Sequence, residues 1–254
     1  MSGQLDGTVA LVTGASSGIG EATALALAAE GAAVALAARR KDRLEALAQK
    51  VTDGGGTALV HEADVTQEDH VRAVVERTVD ELGRIDTLVN NAGLMLLGPI
   101  EGAPTEEWRR MVHLNVLGLL YCTHAALPHL LRAAEGEPRR TADVVNVSSV
   151  AGRVARRNSG VYNATKWAVN AFSESLRQEV TSRHVRVTIV EPGAVATELV
   201  DQNRPEIQAG IRSTFGDVER LVADDIAAAV LYAVTQPRRV AVNEILVRPT
   251  EQER

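Results

Sequence analysis

Short runs of β-branched and apolar residues alternate along this chain with longer stretches in which apolar positions recur every three or four residues. Seven of the short runs predict strands: Thr8–Thr13, Ala32–Ala38, Thr57–His61, Ile85–Asn90, Asp143–Ser148, Val185–Glu191 and Val240–Val247. The longer stretches predict amphipathic helices, among them Gly20–Glu30, Asp42–Thr52 and Gln67–Leu82, with Asn163–Ser182 the longest clear one. A strand followed each time by a helix needs a crossover connection. The pattern therefore predicts an α/β fold with a mainly parallel seven-stranded sheet covered by helices on both faces. Ala133–Thr141 is polar, holds Gly136 and Pro138, and reads as an exposed loop. Thr197–Asp217 breaks the rhythm with Pro205, Gly210 and Gly216. Ligands of doubly wound sheets bind beyond the carboxyl ends of the strands, and this stretch follows such an end, so a lid is expected over about residues 194–223.

Composition narrows the picture in three ways. Aromatics make up only 3%, so the core must be built mainly from Ala, Val, Leu and Ile. The net charge of -6 leaves no electrostatic footprint for nucleic acid or an anionic membrane. Cys122 is the single cysteine, so no intrachain disulfide is possible, and its apolar surroundings suit a buried small hydrophobe better than a nucleophile. The start of the chain lacks the basic and apolar stretches of a signal peptide. His124, Pro128 and His129 interrupt the longest apolar stretches, so no segment is expected to span a bilayer, and the cytoplasm is the expected location. No metal site is expected.

The first predicted strand runs into Gly14-Ala-Ser16-Ser17-Gly18-Ile19-Gly20 and then a helix. Glycines at this spacing permit a tight turn and close backbone approach, while a helix N-terminus offers unpaired N–H groups to a pyrophosphate. The second strand decides which dinucleotide such a turn would hold. An acid at its end would bond the adenosine ribose of NAD, whereas Arg suits the 2′-phosphate of NADP. Here the strand ends Ala38-Arg39-Arg40, with no acid. Two cations at a helix start oppose the macrodipole and call for another partner, so NADP(H) is the expected cofactor. Asp64 and Val65, after the third strand, are placed to take the adenine edge, although an Asp there also serves as a plain helix N-cap.

Tyr162-Asn-Ala-Thr-Lys166 opens the longest predicted helix, and residues four apart share a helix face. Ser149 lies thirteen residues earlier, at the end of the fifth strand. A phenol titrates near 10. A neighbouring ammonium and a cationic nicotinamide would bring it toward neutrality, as acid–base work requires.

Together, Thr13-Gly-Ala-Ser-Ser-Gly-Ile-Gly20, Asn90-Asn91-Ala92-Gly93, Ser149, Tyr162-x-x-x-Lys166 and Pro192-Gly193 resemble the short-chain dehydrogenase/reductase family over nearly the whole chain. The resemblance implies a single-domain Rossmann fold over residues 1–254 that interconverts a carbonyl and an alcohol by hydride transfer. It implies Tyr162 as general acid/base, Ser149 as hydrogen-bond donor to the same substrate oxygen, and Lys166 on the nicotinamide ribose. It also implies Asn115 as fourth member, its backbone carbonyl supporting a relay water. Asn91, Ala92 and Gly93 would lie along the adenosine ribose. Pro192 and Gly193 would begin the nicotinamide wall, with Val195 and Thr197 on the carboxamide. Ser148 is expected to satisfy backbone groups. Helices around Asn115 and Ala168, with Ile245–Val247, would make a homotetramer or dimer.

Leu94, Leu96, Arg153 and Arg156 are the expected substrate contacts. Arg153, Arg156 and Arg157 fall between Ser149 and Tyr162, which makes them either a solvated basic loop or an attractor for a carboxylate-bearing substrate, with Arg153 first choice. Leu96–Pro99, Ala125–Arg132 and Val169–Arg177 resemble the clavulanate dehydrogenase branch of the family and its carbonyl reductases. Two alternatives stay open: an NAD-dependent sugar, polyol or 3-hydroxy acid dehydrogenase, and a nucleotide-binding regulator without chemistry.

Overall fold

The computed structural model describes residues 3–214 and 219–253. Seven strands form one sheet: β1 Val9–Thr13, β2 Ala33–Ala38, β3 Ala58–Glu62, β4 Thr87–Asn90, β5 Ala142–Val147, β6 Val185–Pro192 and β7 Glu244–Val247. Their order is β3-β2-β1-β4-β5-β6-β7, and every pairing is parallel. The order reverses between β1 and β4, which opens a crevice beyond their carboxyl ends.

Helices cover both faces. α1 Gly18–Ala29, α2 Lys41–Asp53 and α8 Ala223–Val234 lie on one, over a cluster that includes Val12, Leu27, Leu36, Leu44, Val145 and Ile226. α3 Glu68–Leu82, α5 Leu119–Glu135 and α6 Gly160–Val180 lie on the other, over Leu11, Val74, Leu88, Leu130, Val144 and Leu176. The core is aliphatic, as the scarcity of aromatics requires, and Cys122 sits inside it with its thiol pushed up to about 12 by burial.

Two sequence expectations need correction here. The longest helix is not the one that carries Tyr162. α4 Thr105–Val112, a π-helical segment His113–Gly118 and α5 run on as 31 helical residues, Thr105–Glu135. By length and composition this stretch is apolar enough to cross a membrane, so His124, Pro128 and His129 do not interrupt it as expected. Pro128 removes one backbone donor without ending the helix. Cys122, Ala126, Leu130 and Ala133 keep that stretch packed against the sheet. The seventh strand is also shorter than Val240–Val247. Thr188 donates to the Val242 carbonyl and Arg186 to those of Gln236 and Val240. Side chains therefore occupy this backbone until Asn243 accepts Ile189 N–H and the ladder begins.

Arg186 is the hub of that corner. Its Nε and Nη2 grip the Asp143 carboxylate at 2.7 and 2.9 Å, and it donates to three backbone carbonyls. Both side chains are buried. Removing Arg186 strips the buried Asp143 of its two-point partner and leaves the carboxylate only Arg139 Nη1 at 3.0 Å. Arg186→Ala is therefore expected to lower the unfolding free energy by about 3–5 kcal/mol in urea titrations. A loss below about 1 kcal/mol would place this pair with exposed ones.

Candidate active site

The turns after β1 and β4 meet in the crevice. The Thr13 hydroxyl accepts the N–H groups of Asn91 and Ala92, and Asn91 Nδ2 donates back to the carbonyls of Thr13 and Gly14. Space is so short that a Cβ at Gly14 would lie 2.8 Å from the Ala92 Cα, and one at Gly20 would lie 2.4 Å from the Gly14 oxygen. Gly14 also takes a positive φ of 66°. No side chain caps the α1 N-terminus, whose first N–H groups face this turn. The donor set fits an anion, and the glycines leave room for one at the backbone.

Arg40 crosses the same turn. Its guanidinium donates to the hydroxyls of Ser16 and Ser17 and pairs with Glu198 at 2.9 Å. Arg43, one turn further along α2, holds the other Glu198 oxygen at 2.6 Å. The two arginines keep the Glu198 carboxyl down at about 2. Arg39 lies exposed at the rim. The sequence pointed to Arg39 and Arg40 but not to Arg43 or Glu198. Arg43 was readable as a helical neighbour of Arg40, whereas Glu198 lies 158 residues away from it.

Asp64 and Val65 line the crevice beside Arg39. Asp64 accepts from the Thr66 N–H and hydroxyl, and α3 begins only after Gln67, so the N-cap alternative does not apply. Asn90 turns away from the site and joins Thr123 and Asn146 in the core.

The crevice widens into a cavity of about 1160 Å³. Ser149, Tyr162 and Lys166 line it, as do Ile19, Gly93, Leu94, Pro192, Gly193, Val195 and Thr197. Ser149 opens the 3-10 turn Val150–Gly152, accepting Ala151 N–H at 3.1 Å, while its hydroxyl reaches the Pro192 carbonyl. Tyr162, in the first turn of α6, is 7% exposed and packs with Leu94, Leu96 and Met111.

That burial acts against the expected lowering of the phenol. Desolvation pushes the phenol up to about 12, against a smaller opposing effect of its hydrogen bond with Ser149. Lys166 Nζ lies 5.9 Å from the ring centroid, but it is committed to the Val147 carbonyl at 2.9 Å. Burial draws the ammonium itself down to about 8. Within the protein alone, burial outweighs the hydrogen bond to Ser149, and the expected lowering rests on Lys166 acting together with a bound cationic nicotinamide.

Asn115 lies in the π-helical segment, a geometry that inserts an extra residue into a helix. Its amide clasps Leu94 at both backbone groups, at 2.8 Å each, and also donates to Thr165. Its side chain thus ties the Leu94 wall to α6. Ser148 reaches the Lys166 carbonyl, as expected of a residue satisfying backbone.

The expected substrate residues divide. Leu94 and Arg156 line the cavity, joined by Arg157 and, unforeseen, by Arg110 from α4. Leu96 packs beneath Tyr162 instead. Arg153 is not at the mouth: its guanidinium is held by Glu191 and Glu244. The expectation that Arg153 meets substrate is thus corrected by two carboxylates that already neutralise it.

Among the described residues, 194–214 arch over the cavity, and at the base Val195 bridges Leu221. Within the arch, α7 Pro205–Thr214 starts at Pro205, where a missing N–H costs nothing, and tolerates Gly210 mid-helix. Gly216 and Asp217, also counted in the expected lid, lie outside the described residues. Asn203 docks the arch onto the opposite wall through Met95 O and Leu97 N–H, at 2.8 and 2.7 Å. From the C-terminal tail, Gln252 accepts the Ala194 N–H, a cavity contact with no motif to announce it.

Comparison with known proteins agrees with this geometry. Residues 8–208 match the family model described as short chain dehydrogenase. An uncharacterized oxidoreductase of Staphylococcus saprophyticus is 40% identical over 247 residues, 96% of each chain. A serine dehydrogenase solved in a closed form with NADP+ superposes with a TM-score of 0.88 at 31% identity, covering 97% of both chains. The alcohol dehydrogenase of Thermococcus sibiricus, solved with 5-hydroxy-NADP, gives 0.85 at 31% identity over 97% of this chain and 98% of that one.

Proposed function

From the premise that the chain belongs to the short-chain dehydrogenase family, we propose that it is an NADP(H)-dependent oxidoreductase that interconverts an aldehyde or ketone with an alcohol. The observation that carries this reading is a buried Tyr162 beside Ser149 in a cavity continuous with a glycine turn and an arginine pair. The nicotinamide supplies or accepts the hydride.

The protein's own groups do the rest. Tyr162 gives its proton to the oxygen of a bound carbonyl, and Ser149 donates a second hydrogen bond to the same atom. Desolvation of the phenol favours its neutral form, the one that serves the reductive direction. Lys166, buried and half-way to neutrality near pH 8, holds the ribose hydroxyls and carries the proton onward. The Asn115 carbonyl supports a relay water. Gly14, Ser16, Ser17, Gly18, Ile19 and Gly20 hold the pyrophosphate, with Asp64 and Val65 at the adenine and Asn91, Ala92 and Gly93 along its ribose. Pro192, Gly193, Val195 and Thr197 face the carboxamide. Arg39 and Arg40 take the 2′-phosphate, for which Glu198 must exchange places on Arg40. The NADP-bound serine and alcohol dehydrogenases support that choice. A cytoplasmic homotetramer remains our reading of its setting.

Two measurements follow. In the double variant Arg39→Ala, Arg40→Ala, the Kd for NADPH should rise about tenfold or more, since charge-assisted bonds contribute about 1.5–3 kcal/mol each. That for NADH should stay nearly constant, and equal losses for both would mean that the arginines only shape the turn. Arg110, Arg156 and Arg157 at the mouth support a carboxylate-bearing substrate. 4-Carboxybenzaldehyde should therefore outperform benzaldehyde in kcat/KM, by a margin that shrinks with added salt and in Arg157→Ala. A preference for the neutral aldehyde at every ionic strength would sink the carboxylate assignment.

A further inference from the structure

Glu191 lies at the end of β6 and is 0% exposed, yet no step above uses it. A carboxylate buried at the end of a central strand is costly unless its lone pairs are met. They are met from two sides. Arg153 Nε donates to Oε2 at 2.6 Å and Asn170 Nδ2 to Oε1 at 2.8 Å. Arg153 is the residue that follows the turn Val150–Gly152, and Asn170 also donates to the Gly152 carbonyl at 3.2 Å. One carboxylate thus holds the far end of the turn that Ser149 begins. The near end is held by the next residue on the same strand, since Pro192 O accepts from the Ser149 hydroxyl.

The fit leaves no slack. A Cβ at Gly152 would lie 2.8 Å from Asn170 Nδ2 and 2.9 Å from Ser148 Oγ. Asn170 Oδ1 is buried without a hydrogen-bond partner. Turning the amide over would set that oxygen against the Glu191 carboxylate and the Gly152 carbonyl, so these two acceptors dictate the orientation. Arg153 reaches on to Glu244 on β7, which stretches the guanidinium between two strands.

We propose that Glu191 is a positioning residue that, through Arg153 and Asn170, fixes the turn Val150–Gly152 and so aims the Ser149 hydroxyl at the substrate oxygen. This rests on the reading of Ser149 given above. Glu191 does not line the cavity. It also explains why Arg153 stands beside the catalytic turn while facing away from the cavity.

The test is a double-mutant cycle read with NADPH and 4-carboxybenzaldehyde. Glu191→Gln keeps the shape but sets an amide donor against Arg153 or Asn170, and Arg153→Lys keeps the charge but loses the fork. Small misplacements of a reacting group cost up to about 100-fold, so Glu191→Gln is expected to lower kcat about 10- to 100-fold. The KM for NADPH, and the Kd for NADP+ by calorimetry, should stay within about twofold. In a Ser149→Ala background the same substitution should change kcat by less than about twofold, because its route of action is already gone. Arg153→Lys should show the same dependence on background with a smaller loss, and it carries the test if circular dichroism shows Glu191→Gln unfolded. A full, additive loss in the Ser149→Ala background, with Ser149→Ala itself defective, overturns the inference alone. An undiminished kcat in Ser149→Ala overturns the role of Ser149 and the inference with it.

Discussion

Burial of the Tyr162 hydroxyl is the constraint on which the other parts of the site depend. Desolvation favours the neutral, proton-bearing form of the phenol, the form that donates to a carbonyl. That environment needs dry walls, and Leu94, Leu96 and Met111 provide them. The walls need an anchor in turn. The Asn115 amide clasps the Leu94 backbone from a π-helical segment in the long helix and ties it to α6 through Thr165. Ser149 reaches the phenol from the opposite side, at the head of a turn strung between β6 and α6.

The sheet places this donor at the right end of the molecule. Reversal of strand order between β1 and β4 brings two turns together, and the Thr13 hydroxyl and Asn91 amide lock them at backbone distance. Glycine is required at Gly14 and Gly20 because a Cβ would collide with the neighbouring turn. The α1 N-terminus and Arg40 then present donors and positive charge at one end of a cavity whose other end holds Tyr162. Arg40 joins the two ends through Glu198 on the arch, so the groups suited to a phosphate also hold the cover.

Much of this was legible in the sequence because it rests on local patterns. Period-two and period-3.6 runs placed the sheet and most helices, and the glycine turn, Ser149 and Tyr162-x-x-x-Lys166 announce themselves by spacing. What was illegible depends on distant partners. Three arginines within Arg153–Arg157 look alike in sequence, and only Glu191 and Glu244, 38 and 91 residues away from Arg153, decide that it turns from the cavity. The upward pull of burial on Tyr162 was illegible for the same reason: its apolar walls come from residues 94–111, which no motif joins to it. Pro128 and two histidines look like breaks, but packing against the sheet overrides them in a helix of 31 residues.

The central claim is that one buried hydroxyl carries the proton. Its most direct test is Tyr162→Phe, assayed by NADPH consumption with 4-carboxybenzaldehyde and, separately, by calorimetric binding of NADP+. Loss of general acid catalysis predicts a rate about 10²- to 10⁴-fold below the parent, with NADP+ binding nearly unchanged. A variant that keeps about half the parent rate or more would contradict the account, because phenylalanine fills the same pocket and has no proton to give.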